Sequence, residues 1–474
     1  MKRLSILSII ALILTVIPLS VGAKTKTVTG TVTSVVSGGG SVGTVVKIGL
    51  GSASGLAEGG KGWVTKGDEV IAYVSIVSVG GDSAVAVVTA HENVNKVTSG
   101  LPVHFNVKVK EEPSPETTTK PETKPQTKPA PADKPGAYVP MYRGNLARTG
   151  TYNETGPTTL PVLMWEFKTG DIPSSPTVVG GTVYVGSWDK NVYALDASTG
   201  KEKWRFTTGG AIVSSPAVAE GVVYIGSDDK KIYALDAATG SERWQFTTGG
   251  IVRSSPAIAA GVVYVGSWDN TVYALNAKTG KEQWRLTTQG VIYSSPAVAT
   301  GVVYVGSGDK NVYALDAGTG KEKWRFATGD YVSSSPAVVV GVVYVGSKDG
   351  YVYALDAATG SLKWRFDTND DIDCPTVVGG IVYMRCWNGN VYALDARTGY
   401  RKWVFKTGPG GNCSPAVVAG IVYVGSGDNN VYALNAATGD EEWRFTTRST
   451  VRSPVVTGGI VYVGSEDGYI YALR

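Results

Sequence analysis

From residue 165 to the C-terminus the chain repeats one arrangement of apolar runs separated by polar and glycine-bearing turns. One unit, SSPAVAEGVVYIGSDDKKIYALDAATGSERWQFTTGG, divides into four short strands: SSPAV, VVYIGS, KIYALD and RWQF. Between them stand a Gly-containing hairpin, an Asp-Asp-Lys tip and an Asp-Ala-Ala-Thr-Gly corner, whose Gly240 can take the positive φ that such corners need. The tryptophans from Trp165 to Trp443 recur every 39 or 40 residues, and the Tyr-Ala-Leu triplets and a strand-opening proline recur in step with them, eight times each. Four strands in about 40 residues is the period of a propeller blade. The pattern predicts an all-β, eight-bladed β-propeller. Its first unit begins with an outer strand, Trp165 to Lys168, and its last ends after three strands at YIYALR. The N-terminal strand is expected to complete the last blade.

Residues 24–110 follow another rhythm, in which small and β-branched residues alternate between Gly turns, as in TVTGTVTSVV, EVIAYVSIVSV and SAVAVVTA. Five or six short strands in that length predict a small barrel or sandwich. The stretch VVKIGLGSASGLAEGGKGWV resembles small β-barrel modules of bacterial envelope proteins. Residues 111–136 repeat Thr-Lys-Pro with no apolar side chain larger than Ala, which makes a semi-rigid spacer reaching as far as roughly 80 Å. Residues 1–23 have a basic start, an apolar stretch and small residues before Lys24, a secretory signal with cleavage expected after Ala23. No cysteine stands there to carry a lipid, and no second apolar run is long enough to span a membrane. The expected order is signal, 24–110 barrel-like domain, 111–136 linker and 137–474 propeller, in a monomer exported to the periplasm or the extracellular space.

The units resemble the PQQ-like, or quinoprotein-type, propeller repeat over residues 165–474, and the segment Ala194 to Trp204 is similar to that family's tryptophan-docking motif. The resemblance implies that each Trp packs between neighbouring blades. The segment AYVPMYRGNLARTG resembles the lead-in before such propellers.

Composition narrows the chemistry. The two histidines, His91 and His104, lie in the first quarter and read as surface or loop residues, so imidazole-based catalysis and zinc sites are excluded from the propeller. No metal site is expected. The net charge of +4 falls to +2 without Lys2 and Arg3, leaving no electrostatic footprint for nucleic acid. Three cysteines allow one bridge and one thiol.

The eight units differ where the inner strand begins. At the first Ser of Ser-Ser-Pro, five units keep serine, and the last three have Asp373, Cys413 and Arg452. The sixth also has Cys374 at the second Ser, and Arg385, Cys386 and Trp387 where others have Gly-Ser and a tip residue. Counting out from the Gly379-Gly380 hairpin sets residues 373 and 374 opposite 386 and 385. Arg385 and Asp373 are then expected to pair, and exported thiols favour a bridge of Cys374 with Cys386 or Cys413. Asp370, Asp371, Asp373, Cys374, Arg385, Cys413 and Arg452 are expected near one mouth of the channel. They form either a small charged pocket or a locally compensated drift of the repeat. On the same face, Trp188, Trp268 and Trp387 at the strand-connecting tips, with Arg253, Tyr293 and Tyr331 from the inter-blade connections, are expected to form an aromatic and basic rim for partner contact.

Two functions follow from the resemblance. Quinone-dependent dehydrogenases with this repeat imply calcium ligands, a catalytic aspartate, covering loops and an adjacent cysteine pair. Every connection here is within one residue of its neighbours, and no adjacent cysteine pair occurs. The expected function is therefore a non-catalytic platform that recognises a protein, a peptide or an envelope polymer, without a cofactor. The alternative is a PQQ-dependent alcohol or sugar dehydrogenase with the quinone and calcium in the channel.

Overall fold

The computed structural model describes the strands within residues 25–108 by their backbone, residues 144, 145 and 148, and residues 156–474 apart from 412. The 1–23 segment, the 111–136 spacer and His91 lie outside these residues. The chain forms two compact units, Met1–Pro125 and Gln126–Arg474.

In the first unit six antiparallel strands span Thr25–Val36, Val45–Gly49, Lys61–Lys66, Glu69–Gly80, Ser83–Ala90 and Pro102–Lys108. They close in the order first, second, fifth, fourth, third, sixth, with the first strand pairing the sixth from Thr25↔Lys108 to Thr31↔Pro102. His104 belongs to the sixth strand rather than to a loop.

The second unit is an eight-bladed β-propeller of eight four-stranded antiparallel sheets. Blade 2 shows how the sequence makes one: Ala217–Ala219 lies innermost, then Val222–Gly226, Lys231–Asp236 and the outer Glu242–Thr247. The middle strands are buried on both faces, so they are almost continuously apolar; the outer strand buries Trp244 and exposes its charged neighbours. The core lies between blades. Trp204, Val192 and Ala194 of blade 1 pack on Val218, Val223 and Tyr233 of blade 2. The indole of Trp204 donates to Ala237 O of the next blade (3.0 Å), and Gly240 there, at φ +74, would put a Cβ 2.7 Å from that ring. Only a residue without a side chain fits both demands.

The ring closes as the unequal ends of the repeat predict. Leu163–Lys168 pairs with Tyr469–Leu473 as the outer strand of blade 8, and Val162 and Arg474 exchange two backbone hydrogen bonds. Blade 8 consequently has no corner of its own to receive Trp443 of blade 7. Pro157 O takes that place, accepting from the Trp443 indole at 3.0 Å and the Tyr423 hydroxyl at 2.9 Å.

Candidate functional site

The inner strands line the axis, and their Ser-Ser-Pro openings form a hydrogen-bonded belt. In blade 2 the first serine, Ser214, accepts from Gly226 N of its own blade (3.2 Å) and donates to Ser254 O of the next (3.2 Å). The second serines link blades through the backbone: Ser215 N donates to Ser255 Oγ, Ser255 N to Ser295 Oγ, and Ser295 N to Ser335 Oγ, at 2.9 to 3.0 Å. Cys374 continues the series, its sulfur accepting from Ser335 N at 3.0 Å. This belt was missed in the sequence, although the second serine recurs in seven of eight units.

Within the belt lies an axial cavity of about 120 Å³. All eight second-position residues line it, joined by Arg253, Tyr293, Asp373, Cys413 and Arg452. Arg253 and Arg452 reach it from opposite parts of the ring. Arg253 is held by Asp228, its Nη2 2.7 Å from the carboxylate, and lies 4.9 Å from the Trp268 ring. Arg452 Nη2 meets Glu466 at 3.1 Å, and the guanidinium lies 5.8 Å from the Trp188 ring.

Those two indoles carry the cavity's surroundings out to the surface. Trp188, Trp268 and Trp387 are 37, 36 and 45% exposed, and Tyr331 is 51% exposed. The backbone N–H of each Trp bonds the preceding inter-blade connection, at Ile172 O, Ile251 O and Asp371 O respectively, which places tips and connections on one face. Tyr293 packs beside Trp268, with ring centroids 6.2 Å apart.

The charged residues of blade 6 divide differently. Asp373 lines the cavity, but Arg385 is fully buried and contributes no surface for a partner. Its guanidinium donates to three carbonyls of the connection into blade 7, Gly408 O (2.9 Å), Gly410 O and Gly411 O (2.7 Å), and lies 3.5 Å from Asp373 Oδ2. The expected ion pair forms, in a different register. Ile372, not Asp373, lies opposite Cys386, and Asp373 N donates to Arg385 O. The ladder slips one residue between this bridge and the Thr376↔Tyr383 pair, across Pro375, which has no N–H to hold it. Asp370 and Asp371 do not line the cavity; Asp371 pairs with Lys348 at 2.9 Å. Burial pushes the Asp373 carboxyl up to about 7, against the opposing pull of Arg385 and of Cys413 N–H, which donates to it at 3.1 Å.

No disulfide joins Cys374, Cys386 or Cys413. Each sulfur occupies a different serine position of the repeat. Cys413 replaces a first serine, accepting from Gly425 N at 2.9 Å, Cys374 replaces a second serine, and Cys386 replaces the serine that follows the second strand. The three serve separate contacts in separate packing environments, Cys386 between blades 5 and 6 and Cys413 between blades 6 and 7. Burial raises the Cys386 and Cys413 thiols to about 12.

A second feature was not legible in the pattern. Arg148, in the lead-in, is fully buried and donates to the inner-strand carbonyls Ser255 O (2.8 Å), Pro256 O (3.2 Å) and Pro296 O. A non-repeating segment thus ties blades 3 and 4 together from within the ring.

A family model described as outer membrane protein assembly factor BamB matches residues 162–266, 229–339, 319–414 and 388–474. No curated protein matches the chain. Among solved structures, BamB from Moraxella catarrhalis is 20% identical with a TM-score of 0.59, covering 66% of this chain and all of its own. A quinohemoprotein alcohol dehydrogenase from Comamonas testosteroni is 18% identical with a TM-score of 0.62, covering 70% of this chain and 80% of its own. The computationally designed protein Ika8 is 18% identical with a TM-score of 0.60, covering 64% of this chain and 96% of its own. These likenesses establish the fold; function rests on the residues.

Proposed function

The chain belongs to the family of outer membrane protein assembly factor BamB, and from that premise we propose that it is an exported, non-catalytic scaffold of the cell envelope that engages a protein, peptide or envelope polymer through one propeller face. The observation that carries this reading is the rim: Trp188, Trp268 and Trp387 project from three tips, and two of them stack near partly buried arginines. Large amphipathic rings backed by anchored cations are the side chains that dominate binding energy in protein interfaces. No helix among the described residues is long and apolar enough to cross a membrane.

The cavity lining does not suit a quinone held with calcium. No group of three His, Cys, Asp or Glu among the described residues is placed to hold a metal ion, and the cavity's acidic residue, Asp373, already serves Arg385 and Cys413 N–H. This supports the platform over a dehydrogenase.

The test is recovery of partners from an envelope extract by the full chain. Replacing all three tip tryptophans with alanine is expected to abolish the specific recovery while the variant still unfolds in a cooperative thermal transition. Undiminished recovery would overturn the rim as the contact face. Dye-linked alcohol oxidation on adding PQQ and calcium, lost in Asp373→Ala, would overturn the non-catalytic reading.

A further inference from the structure

We infer that the axial cavity is a binding site for a small oxyanion, a free carboxylate or phosphate, held between Arg452, Arg253 and the serine belt. The proposal stands apart from the rim and survives its failure.

The cavity is built from donors. Ser255 and Ser295 each accept a backbone N–H from the preceding blade through Oγ, at 2.9 to 3.0 Å, with no other side-chain hydrogen bond among the described residues, and Ser453 accepts from Ser414 N at 2.8 Å and also meets Cys413. A hydroxyl that only accepts in this way, as in Ser255 and Ser295, keeps its own proton to donate, and all three serines line the cavity. Arg452 adds a charged donor: its side chain is 15% exposed and only Nη2 meets Glu466, leaving Nη1. Arg253 uses Nε and Nη2 on Asp228, leaving Nη1. An oxyanion supplies several lone pairs at once and so can answer the guanidinium N–H groups that these ion pairs leave over.

Size and charge set the class. About 120 Å³ is well below the roughly 300–1,000 Å³ of sites for drug-sized ligands, so the ligand is a single small anion. Asp228 and Glu466, which balance the two arginines, do not line the cavity. The acidic group that does line it is Asp373, which faces Arg385 and Cys413 N–H. The anion is therefore expected to sit on the Arg452 and Ser453 side.

The experiment is calorimetric titration of the full chain with inorganic phosphate and, separately, with acetate, against chloride at matched ionic strength. Saturable binding of one anion per chain, weakened at least tenfold by Arg452→Gln, about 1.4 kcal/mol, supports the site. The two titrations separate phosphate from carboxylate preference. Ser453→Ala, which removes one hydroxyl on the Arg452 side and no charge, is expected to weaken binding severalfold and serves if Arg452→Gln fails to fold. Absence of saturation beyond the chloride control, or equal affinity in both variants, would overturn the proposal.

Discussion

The junction after blade 2 and the junction after blade 6 solve one packing problem in opposite ways. Where the second strand of blade 2 ends, a Cβ on Gly226 would stand 2.3 Å from Val252, which caps the gap from the following connection. Ile212 caps Gly186, Ile292 caps Gly266 and Val332 caps Gly306 by the same rule. After blade 6 the sizes are exchanged: Arg385 stands at the glycine position, and Gly411 stands where the cap belongs. Gly410 and Gly411, at φ +78 and +84, turn carbonyls toward the guanidinium. Close-packed interiors accept a volume exchange across a contact far better than a change on one side. A polar solution nevertheless needs every donor answered, and the Gly408, Gly410 and Gly411 carbonyls with Asp373 answer most of them.

The largest way to break this comparison is Arg385→Ala. It leaves Asp373 buried without its cation and strips three carbonyls of their donor, and loss of one partner of a buried pair costs about 3–5 kcal/mol. The expected loss is about 5 kcal/mol in urea unfolding. Arg385→Gly with Gly411→Ile and Asp373→Ser restores the rule of the other junctions and is expected to recover most of that loss. A triple variant no more stable than Arg385→Ala would refute the volume exchange.

This contrast also shows what was legible in the sequence. The blades were legible because each repeats the same local demand: a Trp that docks on the next corner and a Gly240-type residue that makes room for it. The ring's closure followed from counting strands. Asp373 and Arg385 were legible as a pair because both break the repeat at adjoining places. Their exact register was not, since a one-residue slip at Pro375 leaves no mark in an apolar pattern. The cysteines were misread for a related reason. Export favours disulfides, but each sulfur stands in for a serine whose hydrogen bond lies in a different place, and only the folded backbone shows which. The seven second serines were visible, yet their convergence with Cys374 on one cavity depends on the closed ring. Arg148 occurs once, so no periodicity announced it.

The same junction gives a pH signature of intermediate size. The Asp373 carboxyl is pushed up to about 7 by burial, so its ionised form is the costly one in the fold. A carboxyl raised in this way contributes stability that is fully present below the unfolded value near pH 4 and is lost as pH rises through about 7. Asp373→Asn does not titrate and lacks that loss. The stability of the native chain relative to Asp373→Asn is expected to fall by about 3–4 kcal/mol from pH 4 to pH 7.5 and then level off. A difference that stays flat, or grows with pH, would mean that Arg385 holds the carboxylate ionised throughout.

The smallest effect separates the two classes of tryptophan. Trp403 is buried between blades 6 and 7 and donates to Ala436 O at 3.0 Å, so Trp403→Ala removes a core ring and is expected to cost about 3–5 kcal/mol. Trp188 is 37% exposed, and its ring lies 5.8 Å from the Arg452 guanidinium, an interaction worth about 0.5–2 kcal/mol depending on desolvation. Trp188→Ala is therefore expected to cost less than about 2 kcal/mol in the same unfolding assay. A loss as large as that of Trp403→Ala would make the tip a structural brace and remove the reason to seek a partner there. A near-neutral change leaves an amphipathic ring held at the surface beside a cation, at little consequence to the fold that carries it.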